Sequence, residues 1–361
     1  MTMTNDEPSR TRILLHFLRQ GVSGARHGAM RGSLVVLLVL MCIVLSVMQP
    51  AFMSLDNAIG MWRTASVAAI MYIGVTWVIA SGEIDVCFMD VAALASMVFA
   101  VVANAHFSPL FAAMLAIVVG LGIGVCNGVM VGLLGFPSLI VTIASGTFAH
   151  SVATILGHGQ PVYLDSSGVV GTFVNGAVAG LPLIGIVAVL LYVLSWFLQE
   201  RLVIGHHVYV LAQNSMALRQ VGVRTQWIKF GLFVVSGVMS AAAGVVLAGT
   251  LNSGNPMIGG SFFLDGLTAV FLGATVIRLG QPNIIGTGLG VAILAVLVNG
   301  LALVGAPNFA REIIKGVLLL LGVIVAVKAG NLKWTGFRRL RAAAGPSPAG
   351  DDQAKLQRFT A

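Results

Sequence analysis

An all-α, polytopic membrane fold follows from three observations. Only 9% of the 361 residues are Asp, Glu, Lys or Arg, and 58% are hydrophobic; a soluble domain carries about 25% charge. A mean hydropathy of +0.98 leaves no polar shell to dissolve a globular protein, and it excludes disorder, which needs the opposite composition. The apolar residues also come in long unbroken runs, not in the alternation of a membrane barrel. Such runs cross a bilayer as helices.

Residues 1–32 form a basic tail, too long and too polar for the leading region of a signal peptide. The first apolar run therefore stays in the mature chain. No charge interrupts Arg31 to Asp56, Arg63 to Glu83, Asp90 to Asp165, Asp165 to Glu200, or Lys229 to Asp265. A span needs roughly 20 residues, so the stretch from Asp90 to Asp165 holds three, with turns at 105–109 and 135–138. Ten spans result, at about 33–52, 65–81, 88–105, 109–133, 137–156, 180–198, 228–249, 262–277, 284–304 and 311–328. The eighth is the least clear, with Asp265 at one end and Arg278 just beyond the other. A transmembrane domain, 33–328, is thus followed by a second basic tail, 329–361.

Lys and Arg accumulate on the cytoplasmic side. With the N-terminus inside, all of the 20 Lys and Arg except Arg63, Arg311 and Lys315 fall inside. The even span count puts both tails in the cytoplasm, and the net charge of +8 is read as topology. Nucleic-acid binding, the usual partner of such basicity, has no support, because the charge is not gathered on one face. Ten spans can be two halves of five, with chance similarity between Gly-rich helices as the alternative. Gly120-Leu-Gly-Ile-Gly124 with Asn127-Gly128 is weakly echoed by Gly286-Thr-Gly-Leu-Gly290 with Asn299-Gly300. An odd repeat unit makes the halves inverted.

Several chemistries are excluded. No Gly-Lys pair exists, so the chain lacks a phosphate loop and is not itself an ATPase. His-Glu-x-x-His and Gly-x-Ser-x-Gly are absent. No two histidines lie four apart, and Cys42, Cys87 and Cys126 have neither metal-ligand spacing nor a disulfide framework. No catalytic residue, cofactor or metal is expected.

Three segments stand out. Gly120, Gly124, Gly128 and Gly132 recur every fourth residue, a stripe on which another helix can pack closely. Asn127 beside it needs a partner or a wet cavity. Ser81-Gly82-Glu83-Ile84-Asp85 sets two acids where Gly82 breaks span two, with Asp90 shortly after. Ionisable groups at such depth are candidates for the translocation path or its gate, although a solvated loop would carry them equally. Finally, the inside loop 199–227 carries Gly205, Tyr209, Asn214, Ala217, Arg219 and Gly222. Its composition predicts a short surface helix capped by Asn214 and stopped at Gly222, which another protein could grip.

These segments resemble the membrane permease subunits of ribose-type ABC importers, over about residues 54–327. Ser81-Gly-Glu-Ile-Asp85-Val is similar to the family's Gly-Gly-Ile-Asp-Leu-Ser motif. Asn127-Gly-Val-Met-Val-Gly-Leu-Leu-Gly-Phe-Pro137-Ser-Leu-Ile-Val-Thr142 resembles its Asn-Gly…Pro…Ile-Val-Thr stretch. The 205–222 loop resembles the segment that docks on the ATPase, and Gly286-Thr-Gly, Asn299-Gly300 and Ile313-Ile-Lys315-Gly316 the C-terminal pattern. After Asp85 the family continues Leu-Ser-Val-Gly, where this chain has Val86-Cys87-Phe88-Met89-Asp90; the later Leu-Gly-Gly is Leu272-Gly273-Ala274. The resemblance implies a permease dimer in a bacterial inner membrane, built from identical or paralogous chains. It also implies ATP-binding subunits on the cytoplasmic side and a periplasmic solute-binding protein. The rival reading is an ion-coupled carrier using Glu83, Asp85 or Asp265.

Overall fold

The computed structural model describes residue 32 and residues 34–330, apart from 166, 167 and 279. The basic tails lie outside the described residues, save for Gly32, Ala329 and Gly330. Helix α1 covers Leu34–Met48. It is followed by α2 (Leu55–Ala80), α3 (Phe88–Asn104), α4 (Pro109–Asn127, continued by a wider π turn, Gly128–Leu133), α5 (Ser138–Leu156) and a short α6 (Gly168–Asn175). The second part comprises α7 (Leu183–Arg201), α8 (Val203–Gln213), α9 (Ser215–Gln220), α10 (Thr225–Leu251), α11 (Gly259–Gly273), α12 (Ile284–Leu303) and α13 (Asn308–Gly330). Each of the ten expected spans lands on one of these helices. Six are long and apolar enough to cross a membrane, and α1, α3 and α11 are shorter apolar helices.

Local signals set the ends. Ser54 and Ser108 accept backbone N–H bonds at the starts of α2 and α4, and Pro109 follows the second. Asn283 does the same for Gly286 in α12. Such caps satisfy N–H groups that a helix start leaves bare. Asn252, in the left-handed region, ends α10.

Two expectations are corrected. α2 begins at Leu55, ten residues before the predicted start at 65. Its capped first turn extends the apolar span outward, so Asp56 and Arg63 are carried on helix. Asp265 lies inside α11, not at its end, and Lys315 lies inside α13; the two pair at 2.9 Å. An acid is tolerated there because a buried cation from a neighbouring helix meets it.

The packing repeats. α3 packs on both α4 and α5, which barely touch each other, and α11 packs on both α12 and α13, which also barely touch. The second helix of each half crosses into the other half: α10 lies along α3 and α4, and α2 lies along α12 and α11. The two halves of five are therefore interlocked about α2 and α10. Among those six, α2 is the most enclosed, 67% buried, while α5 and α7 are 28% buried and form the periphery.

Loop contacts sort into two ends. At one end Gly82 lies against Ala212, Glu83 pairs with Lys229, Ser138 accepts the Ile84 N–H, and Arg278 pairs with Glu200. At the other, Val162–Tyr163 pairs with Ser253–Gly254, Asn57 and Asn299 exchange side-chain bonds, and Arg63 reaches the Asn175 carbonyl. Helices that cross alternately produce this separation.

Candidate translocation and coupling sites

Between α2 and α3 the chain is not helical. Gly82 turns at φ +84°, and residues 83–87 form no helix or strand. Buried backbone without helical bonds needs outside partners, and α5 supplies them. The Ser138 hydroxyl accepts from Ile84 N, and the Thr142 hydroxyl reaches the Ile84 carbonyl while bonding Ser138 O at 2.9 Å. The expected helix break is thus real.

The acids of this segment differ in surroundings. Asp85 is 1% exposed. One carboxylate oxygen accepts from Cys87 N at 2.9 Å and the Cys87 thiol at 3.1 Å; the other accepts from the Ser236 hydroxyl at 2.6 Å. Asn127 donates to the same Cys87 sulfur at 3.1 Å, and its own Oδ1 has no partner. Asn127 of α4 and Thr142 of α5 therefore converge on the segment that carries Asp85. Glu83 is ion-paired with Lys229 of α10. Asp90 stands apart, on the first turn of α3, 3.6 Å from His150 of α5. Sequence reasoning missed Cys87, Ser236, Lys229 and His150 as parts of this cluster. The only sequence signal is polar residues in apolar helices, and Lys229 reads in the sequence as topology alone.

The glycine stripe faces α10. A Cβ on Gly120 would lie 2.7 Å from Gly237 O, on Gly124 2.8 Å from Phe233 O, on Gly128 2.8 Å from Phe230 O, and on Gly132 2.7 Å from Phe230 N. Four residues of α-helix overshoot a full turn by about 40°. The wider π turn at Gly128–Leu133 takes that overshoot back, so Gly132 still meets α10.

The 199–227 segment holds two helices, not one. In α8, Gly205 packs onto the Gln199 backbone and Tyr209 is 4% exposed. The Arg278 guanidinium sits 4.4 Å over the Tyr209 ring and bonds Glu200 at 2.7 Å. Burial, with the Glu200 carboxylate beside it, holds the phenol well above its ordinary pKa. Tyr209 and Gly205 thus pack inward, while α9 turns most of its residues outward. There Asn214 accepts from Ala217 N at 3.1 Å, and Gly222 turns at φ +81°. Arg219 is exposed and donates to the Thr225 hydroxyl at the start of α10. Ala217 is half-buried, flanked by Met216 and Val221, 66% and 74% exposed. Gln199, fully buried, accepts from Ile284 N at 2.8 Å and fastens the segment's root to α12.

Ser236→Ala is expected to leave one oxygen of Asp85 without a donor. An unsatisfied buried acceptor costs about 1–3 kcal/mol, more when charged, so a lower melting temperature in detergent is expected at unchanged membrane insertion. Thermal unfolding of the purified variant checks it.

Comparison with known proteins covers almost the whole described region. A family model described as the permease component of a branched-chain amino acid transport system matches residues 57–323. The ribose import permease protein of Escherichia coli is 31% identical over 85% of this chain and 98% of its own length. That of Bacillus subtilis is 29% identical over 80% and 90%. An autoinducer 2 import system permease protein of Yersinia pseudotuberculosis is 29% identical over 71% and 78%. No solved structure matches. These relatives are transport permeases, and the interlocked ten-span bundle is a membrane fold. The chain belongs to the family of permease components described for branched-chain amino acid transport.

Proposed function

We propose that this protein is the permease subunit of an ATP-driven, binding-protein-dependent importer of a sugar or sugar-like solute. The observation that carries the reading is the alignment with a ribose import permease along 98% of that protein's length. The chain lacks a phosphate loop, so ATP hydrolysis takes place in a separate cytoplasmic subunit. Both tails are cytoplasmic, in a bacterial inner membrane, and a periplasmic solute-binding protein delivers the solute from outside. Lys and Arg distribution supports that orientation.

The site geometry supports the same mechanism. The ATP-binding subunit grips α9 and its C-cap, where Met216, Arg219 and Val221 face outward around the half-buried Ala217. Large exposed apolar side chains among polar residues mark a protein contact. Two permease chains enclose the path. α5 borders it, since Thr147 and Ser151 expose hydroxyls on a helix that is mostly unburied. A cleft of about 420 Å³ beside it is lined by Val119, Cys126, Met130, Ser145 and Phe148. Access alternates as ATP closure rocks the bundle, and Glu83, Asp85, Asp90, Asn127 and Thr142 form the gate region.

An ion-coupled carrier needs a carboxylate that exchanges its ion with solvent. Glu83 and Asp265 are each held by a lysine, and Asp85 by three donors. This weighs against the rival. Purifying the chain from native membranes through a tag after Ala361 is expected to recover an ATP-binding subunit in comparable amount. Recovery of the permease with no ATPase would refute the reading. A reporter fused at the same point is expected to read cytoplasmic; a periplasmic signal would contradict the ten-span topology.

A further inference from the structure

The gate segment and the cytoplasmic helices are joined through one rod. The N-terminus of α10 is tied to α9, because Arg219 donates to Thr225 and Thr225 N bonds Val223 O at 3.0 Å. Two turns of α10 then present Lys229 and Ser236, seven residues apart and so on one face of the helix. Lys229 holds Glu83 and Ser236 holds Asp85. Both acids of the non-helical segment are thus gripped by the same face of the same helix. A second contact backs the first: Gly82 lies on the Ala212 backbone at the end of α8, where a Cβ would come within 3.2 Å of the Ala212 Cα.

We infer that Lys229 is a positioning residue for transport: through its ion pair with Glu83, α10 carries displacement of α9 directly to segment 81–87. The segment has no helical ladder of its own, so it follows whatever holds it. The pair is partly exposed, with side chains 23% and 18% accessible, so its role is a mechanical tie and not a large stability term. After Glu83 the backbone is held by α5, through Ser138 and Thr142 at Ile84, and before it by the last turn of α2, where Gly82 N bonds Ile79 O at 3.0 Å. When α10 moves relative to α5, the segment must leave one of them, and an ion pair keeps it with α10. This inference rests on the importer reading above, since it needs an ATP-driven movement of α9.

Cys87 is a built-in reporter, at the end of the segment and only 3% exposed. In a chain carrying Cys42→Ser and Cys126→Ser, assembled with its ATP-binding subunit in liposomes, maleimide labelling of Cys87 reads the segment's position. Trapping with ATP and vanadate is expected to change the labelling rate at least fivefold. Lys229→Met is expected to abolish that change while the ATPase still copurifies, Lys229→Arg to keep it, and Glu83→Lys combined with Lys229→Glu to restore it. A nucleotide response that persists in Lys229→Met, or is not restored by the exchanged pair, overturns the inference and leaves the importer reading standing. A chain that recovers no ATP-binding subunit at all overturns the importer reading first and this inference with it.

Discussion

Replacing Gly124 by leucine is expected to abolish assembly of a stable permease. A Cβ there already comes within 2.8 Å of the Phe233 carbonyl and 3.1 Å of the Val234 Cα. Those are backbone atoms of α10, so relief requires the two helices to part. Overpacking a tight core typically costs about 1–3 kcal/mol, occasionally more, and in a membrane no hydrophobic drive holds parted helices together. The interface runs the length of α4, because Gly120, Gly128 and Gly132 meet α10 at similar distances. Gly128→Leu is expected to behave alike, whereas Gly122→Leu, which meets nothing within 4 Å, should be tolerated. Membrane level and monodispersity in detergent report the outcome. Normal assembly of both stripe variants would show that α4 and α10 can separate without consequence.

The second large effect is expected at Ala217. It lies half-buried on α9 between outward-facing Met216 and Val221, with its N–H held by Asn214. Ala217→Glu would set a carboxylate inside the proposed contact with the ATP-binding subunit. Burying an unpaired charge costs several kcal/mol, and each 1.4 kcal/mol is a tenfold loss of affinity. A hundredfold or greater loss of ATPase recovery is expected, with the permease inserted at its normal level. The helix itself has room for the change, because Asn214 still caps it. Unchanged copurification and uptake would place the coupling surface elsewhere.

Much of this was legible in the sequence because a bilayer enforces it. Spans show as charge-free runs, and the turns at 105–109 and 135–138 coincide with the ends of α3, α4 and α5 within a few residues. Gly82 and Gly222 marked real breaks because only glycine takes those turns without strain. What was hidden was pairing across the fold. Lys315 reads in the sequence as one of three charges toward the outside and is a buried partner of Asp265. Tyr209 looked like a surface anchor, yet Arg278, distant in sequence, covers its ring. Asp85 was visible as a candidate, but its bond from Ser236 is a product of α10 lying across the first half. No local pattern encodes that crossing. The weak echo between the two halves was a fair guide to the repeated packing of α3–α5 and α11–α13, although the glycine motifs themselves are only loosely matched.

The source of energy is what separates an importer permease from an ion-driven carrier. The most direct measurement is uptake of the radiolabelled solute that its solute-binding protein binds, by vesicles containing the permease, its ATP-binding subunit and that protein, with an uncoupler collapsing the proton gradient. Uptake that requires ATP and persists in the uncoupler is the predicted result. Uptake that ignores ATP and stops with the uncoupler would contradict the account.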